Sequence, residues 1–226
     1  MEVNTCAQTT LSVGTDYNSG YSGTGSLTPG TSDSDVQIVQ VTPDANQTVN
    51  TPTTPFTPVV PTSLPASWVV VSGAQFVAPT ANQTYSPPSD VQGNEAGTYD
   101  YRMVLHTAYL APTTLTLTGY FAADDTSTVS VNGGSALATT PGFSSLTPFT
   151  GTFTVGTGSV NTDIDFNVIN NLDYADGSNG NPTPINPTGL LVSDLEVSAV
   201  PEPSSWVLGL AALAVIGVLR RRALQG

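Results

Sequence analysis

Apolar and polar residues alternate repeatedly along the chain ahead of residue 201. In Thr113–Tyr120, Leu115 and Leu117 alternate with Thr114, Thr116 and Thr118. In Thr162–Ile169, Ile164, Phe166 and Val168 point one way, with Asp163, Asp165 and Asn167 opposite. The same period runs through Thr126–Val131, Thr150–Val155 and Leu191–Val197, and earlier through Val36–Val41, Trp68–Val71, Gln75–Val77 and Tyr99–His106. A period of two places one set of side chains on a buried face and the other in solvent, so each run predicts a strand. No window before residue 201 has helical periodicity. Turn residues separate the runs. Asn132-Gly133 follows Val129–Val131, and both residues tolerate positive φ, a hairpin signal. Pro141-Gly142, Gly156-Thr157-Gly158 and Asp176-Gly177 mark further turns.

Many short strands with frequent turns predict an all-β fold: an antiparallel β-sandwich or jelly roll over residues 11–198, behind a disordered stretch at residues 1–10. Thr42–Pro65 carries Pro43, Pro52, Pro55, Pro58, Pro61 and Pro65. It is expected to be a long loop inside one domain, because the strands before it (Leu11–Val13, Val36–Val41) are too few to bury a core. Asp173–Pro187 is expected to be a second long loop.

Composition narrows the functional classes. Charged residues make up 9% of the chain, against roughly 25% in ordinary soluble domains. There is no Lys, and 16 of the 17 acidic residues precede residue 200, where Arg102 is the sole basic residue; that part carries a net charge of −15. Phosphate backbones repel such a body, so nucleic-acid binding is excluded. Cys6 is the only cysteine, which rules out an internal disulfide, and Val3-Asn4-Thr5 lacks the apolar residues expected before a lipidated cysteine. Met1–Ser12 holds neither a basic nor an apolar signal-peptide region. Either an export signal was removed and Met1 added, or the gene start is set too late; a cytoplasmic protein, the third option, conflicts with the tail.

That tail, residues 199–226, has three parts. Pro201-Glu202-Pro203 lacks two backbone donors and favours extended chain that an enzyme can grip. Trp206–Leu219 is an apolar run of 14 residues opened by an interfacial aromatic. Arg220, Arg221 and Arg222 close it and stay cytoplasmic by the positive-inside rule. Counted from Ser204, a helix would reach about 24 Å, short of the roughly 30 Å hydrocarbon core. The expectation is a short C-terminal transmembrane helix through residues 204–222 that anchors marginally, as suits a segment meant to be removed.

This order of parts resembles the PEP-CTERM sorting tail of Gram-negative bacteria. The resemblance implies recognition by exosortase, a membrane protease-transpeptidase, and association with exopolysaccharide. It further implies transient anchoring in the inner membrane, then delivery to the cell surface or extracellular matrix. The body loosely resembles galactose-binding-like jelly rolls, through Gly14-Thr15-Asp16, Trp68, Tyr99-Asp100-Tyr101-Arg102, Ala122-Ala123-Asp124-Asp125, Val129–Gly133 and Gly189-Leu190-Leu191-Val192. That likeness implies a capacity for carbohydrate binding.

Candidate chemistry is sparse. Asp124 and Asp125 are adjacent, and neighbours on a strand face opposite ways, so they do not flank a substrate as glycosidase carboxylates do. His106, the sole histidine, reads as a packed or edge residue. No catalytic residue is assigned and no cofactor is expected, apart from structural Ca²⁺ at Asp173, Asp176 and Asn179, with Ser178 between them. Tyr99, Tyr101, Tyr109 and Tyr120 are candidates for stacking on sugar rings. The leading reading is a non-enzymatic, exported envelope or matrix protein that binds exopolysaccharide. The alternatives are a secreted carbohydrate-active enzyme, which needs convergent carboxylates in a groove, and an ice- or surface-binding adhesin, which needs a flat, regular Thr array, whereas the Thr residues follow no fixed repeat along the sequence.

Overall fold

The computed structural model describes residues 10–14, 16–22, 25–44, 54–82, 96–171 and 187–200. The described residues contain strands and no helix. Twelve strands follow in chain order: β1 Thr10–Leu11, β2 Asp16–Tyr17, β3 Tyr21–Ser22, β4 Gly25–Ser26, β5 Gln37–Pro43, β6 Gly97–Tyr109, β7 Thr113–Asp124, β8 Thr126–Val131, β9 Ala138–Thr140, β10 Thr147–Val155, β11 Gly158–Asn170 and β12 Gly189–Ala199.

They form two principal sheets. The first is ordered β1-β6-β11-β8-β9, with β5 also paired to β6; the second is β10-β7-β12-β2. β3 and β4 make a small separate hairpin. From β6 onward the chain passes back and forth between the principal sheets, so β6, β8, β9 and β11 face β7, β10 and β12. Pairing is antiparallel except at β1, which runs parallel to β6 with Leu11 opposite Leu105. The purely antiparallel expectation is corrected there. β1 and β5 share one edge of β6, against residues 104–105 and 97–102 respectively.

The alternation sets the core. Tyr99, Tyr101, Met103 and Leu105 of β6 and Ile164, Phe166 and Val168 of β11 are buried, and they meet Leu115, Leu117 and Phe121 of β7 and Phe149 of β10. Phe166 of the first sheet packs on Phe121 and Phe149 of the second, at centroid distances of 5.9 and 6.1 Å, and this aromatic trio ties the layers together. Gly119 makes room for it: a Cβ there would sit 2.7 Å from the Phe149 ring.

Trp68–Val71 and Gln75–Val77 are not strands, as the apolar pattern predicts, but loop held by isolated bridges Val71–Ala74 and Val77–Leu190. The loop has another task. Trp68, Ala74 and Phe76 cover Ala122 and Leu191 on the outer face of the second sheet, forming a satellite core. The Trp68 indole N–H donates to Asp124 Oδ2 at 2.9 Å, which pins this cover to the end of β7.

Candidate binding site

The outer face of the first sheet carries an array of charged, amide and hydroxyl side chains. Register sets it. Gln37, Arg102, Asp165 and Ser130 lie in one cross-strand row, and Gln40, Asp100, Asn167 and Thr128 lie in the next. On β6, β8 and β11 these residues alternate with buried neighbours, so burial of the core residues dictates that they project outward. A one-residue irregularity in β5 between Ile38 and Gln40 returns Gln40 to this face beside Asp100.

Arg102 organises the site. Its Nε donates to Asp165 Oδ1 at 2.7 Å, and a terminal guanidinium nitrogen lies 2.9 Å from Asp163 Oδ2. Partial burial works against the charge, but Asp165, Asp163 and Asp100 outweigh it and hold the guanidinium above its ordinary pKa range. Asn167 donates from its amide to Asp100 Oδ1. Together Gln40, Asp100, Arg102, Ser130, Asp165 and Asn167 line an open groove of about 420 Å³. The groove offers fixed carboxylate acceptors and guanidinium, amide and hydroxyl donors on a rigid sheet. Sugar hydroxyls both donate and accept, so this set can satisfy them.

The tyrosines do not converge. Tyr99 and Tyr101 are fully buried, so neither ring can stack on a sugar. Both belong to the inward set of β6, and burial pushes the Tyr101 hydroxyl far up. Tyr109 is half-buried against the core. Tyr120 is exposed, but on the outer face of the second sheet. Asp124 is buried and holds Trp68, while Asp125 accepts from the Asn171 backbone at 2.7 Å; this pair secures loops. His106 is exposed, not packed, and contacts Asn161 and Ser159 at 2.8 and 2.9 Å.

The Ca²⁺ candidates Asp173, Asp176 and Asn179 lie outside the described residues, as do Pro201, Glu202, Pro203, Trp206, Leu219, Arg220, Arg221 and Arg222 and the N-terminal stretch 1–9. Among the described residues there is no cluster of three metal-ligating side chains, and no helix is long and apolar enough to cross a membrane. The groove residues were missed from sequence as a group. Their signal was the Asp163, Asp165, Asn167 series, whose charged and amide side chains alternate with apolar ones on one strand. What sequence did not reveal is that this series pairs with Asp100 and Arg102.

The outer face of the second sheet differs in chemistry. Thr114, Thr116 and Thr118 of β7 stand opposite Thr154, Thr152 and Thr150 of β10. The Thr114 and Thr154 hydroxyls are 3.5 Å apart. These three cross-strand rows carry no charge.

These features define a β-sandwich body joined to a C-terminal sorting segment. Residues 199–223 match the PEP-CTERM protein-sorting motif, so the chain carries a PEP-CTERM tail, which implies exosortase-dependent export. Among curated proteins, no sequence match is found. Solved structures give distant similarities. A GH26-CBM35 β-(1,4)-mannanase of Podospora anserina matches at 14% identity over 63% of this chain and 26% of its own, with a TM-score of 0.32. The enzymatically active domain of tailspike protein 4 of bacteriophage CBA120 matches at 12% identity over 75% of this chain and 18% of its own, TM-score 0.31. The CBM35 from Cellvibrio japonicus Abf62 matches at 14% identity over 74% of this chain and 94% of its own, TM-score 0.25. The chain thus spans about a quarter of the mannanase and less than a fifth of the tailspike domain.

Proposed function

We propose that this is an exported saccharide-binding protein. Its tail is held in the inner membrane until exosortase removes it, and its body then joins exopolysaccharide at the cell surface or in the extracellular matrix. The observation that supports binding is the groove on the first sheet. Its donors and acceptors are held in place by strand pairing and by one another, so little side-chain entropy is lost when a ligand forms hydrogen bonds with them. The net acidity of the body favours neutral glycans over anionic ones. The test is binding of the full-length chain to a panel of neutral and acidic glycans, with Asn167→Ala and Gln40→Ala as groove variants. Binding to a neutral glycan that both variants weaken supports the reading. Absence of binding across the panel, or binding unaffected by either variant, rejects it.

The Thr rows favour a second reading, a surface-binding adhesin that recognises ice. Residue pairs two apart in an antiparallel ladder are of the same hydrogen-bonding kind, so the three rows repeat uniformly. The Thr positions then recur at about 6.8 Å along strands that lie about 4.8 Å apart, an uncharged two-dimensional array of hydroxyls of the kind an ordered water surface could match. Inhibition of ice recrystallisation that Thr116→Lys and Thr152→Lys abolish and Thr139→Lys preserves would establish this reading. No inhibition by the unaltered chain would exclude it.

A further inference from the structure

We propose that Ser159, His106 and Asn161 form a nucleophilic centre that takes acyl groups from carboxylic esters carried on solvent-exposed chains. This goes beyond saccharide binding and stands without it. The pairing of β11 with β6 places Asn161 opposite His106 and Ser159 opposite Ala108, so the imidazole lies between two outward side chains of one strand. His106 Nδ1 lies 2.8 Å from Asn161 Oδ1, and Nε2 lies 2.9 Å from Ser159 Oγ. A carbonyl oxygen only accepts, so Nδ1 carries the ring proton. In the neutral ring Nε2 is then the bare nitrogen and accepts the Ser159 hydroxyl. That is the tautomer a general base needs, and the third group fixes it. None of these contacts serves the core: all three side chains are exposed.

The chemistry balances without a cofactor. Ser159 Oγ attacks the ester carbonyl carbon while its proton passes to His106 Nε2. The bond from that carbon to the alcohol oxygen breaks, and the proton leaves with the departing alcohol. Water then attacks the acyl-serine, giving a proton through Nε2 back to Ser159 Oγ and releasing the carboxylic acid. His106 is the catalytic base and Asn161 the positioning residue. The substrate class follows from placement. The centre stands on an open strand face rather than in a closed pocket, which suits an ester borne on a polymer. Arg102 lies four residues from His106 on the same strand and face, about 13 Å away.

The test uses the full-length chain in detergent micelles and a fluorophosphonate probe. On reaction, an Oγ–P bond forms and fluoride leaves with the hydroxyl proton. Peptide mass spectrometry should find the adduct on Ser159 and not on Ser22, an exposed serine with no histidine beside it. His106→Ala should slow labelling of Ser159 by about a hundredfold, the usual contribution of a positioned base. Asn161→Ala should slow it too, and Asn161→Asp should restore it, because a carboxylate also holds the Nδ1 proton. All three positions are exposed, so the variants should keep the parent melting temperature. Ser159 reacting no faster than Ser22, or labelling equally well in His106→Ala, would overturn the proposal.

Discussion

Replacing Arg102 by Gln tests whether the groove is held together by charge. Arg102 is the sole basic residue of the body, and its substitution leaves Asp100, Asp163 and Asp165 without a cation. The two ion pairs, at 2.9 and 2.7 Å, are not fully buried: the Arg102 side chain is 35% exposed, Asp163 33% and Asp165 17%. Exposed pairs contribute about 0.2–1 kcal/mol each, and the more sheltered Asp165 pair belongs at the upper end. Asp163 and Asp165 stand about 7 Å apart on one strand face, so their repulsion, no longer offset, adds about 0.6 kcal/mol even at the dielectric of water. The expected loss is therefore about 1.5–2 kcal/mol, or about 3–8 °C in Tm for a domain of this size. Urea denaturation at two ionic strengths reads the cause. The screening length falls from about 10 Å at 0.1 M salt to about 3 Å at 1 M, so the cost of Arg102→Gln should shrink by about half. In an Asp163→Asn/Asp165→Asn background the same substitution should cost little. A loss that is the same at both salt concentrations, or undiminished in that background, would show that the Arg102 stem holds this face by packing and that the electrostatic account is wrong.

Asp124→Ala should destabilise the fold by about 2 kcal/mol, because it leaves the buried Trp68 N–H without its acceptor; calorimetry reads this, and Trp68→Phe in the same background should then add less than it does alone. Phe166→Ala removes the ring that joins the two sheets and should cost about 3–5 kcal/mol in chemical denaturation, whereas Ile169→Ala, at an exposed position of the same strand, should cost far less. Asp33 is pushed from 3.8 up to about 6 by burial, against the pull of backbone N–H groups of Gly20 and Asp35, so its carboxyl signal in NMR should titrate near 6 and not near 4. A raised carboxyl pKa means that the folded state keeps a proton the unfolded chain releases. The contribution of Asp33 to stability is thus greatest below pH about 4 and falls by about 3 kcal/mol as pH rises through about 6.

Where alternation is strict, the strands were legible residue by residue. Thr126–Val131 coincides with β8, and Thr162–Ile169 lies wholly within β11. Asn132 and Gly133 adopt φ of 49° and 64°, and the Gly134 N–H bonds the Val131 carbonyl, so the turn forms as its chemistry requires. Pattern misled where an apolar run covers a sheet instead of joining it. Trp68-Val69-Val70-Val71 reads as a strand, yet Trp68 is buried as a lid while Val70 is 84% exposed. The tyrosines show the same limit. Tyr99 and Tyr101 alternate with Asp100 and Arg102, and period alone does not say which set faces inward; large apolar rings and paired charges decide it. The groove, the Thr rows and the Ser159–His106–Asn161 cluster were beyond single-sequence reading for one reason. Each joins segments 32 to 67 positions apart, and only strand register brings them together.

The junction between body and tail constrains how processing can occur. The sorting motif begins at residue 199, which is still the last residue of β12. The next residue, Val200, bonds through its N–H to the Thr114 carbonyl at 2.9 Å. Folded structure therefore runs up to the start of Pro201-Glu202-Pro203 without a linker. Residues 201–205 separate that point from the apolar run, and five residues reach at most about 18 Å fully extended. With the tail held in the membrane as proposed, the sandwich would stand close against the bilayer, with the β6–β7 turn nearby, since Thr114 lies one residue into β7. Leu110 of that turn is fully exposed, an apolar tip on the side from which the tail departs. A body with a net charge of −15 gains nothing from anionic headgroups. If exosortase cuts the tail as proposed, the anchor is lost, and a body of this charge has no attraction to anionic headgroups that would hold it at the membrane.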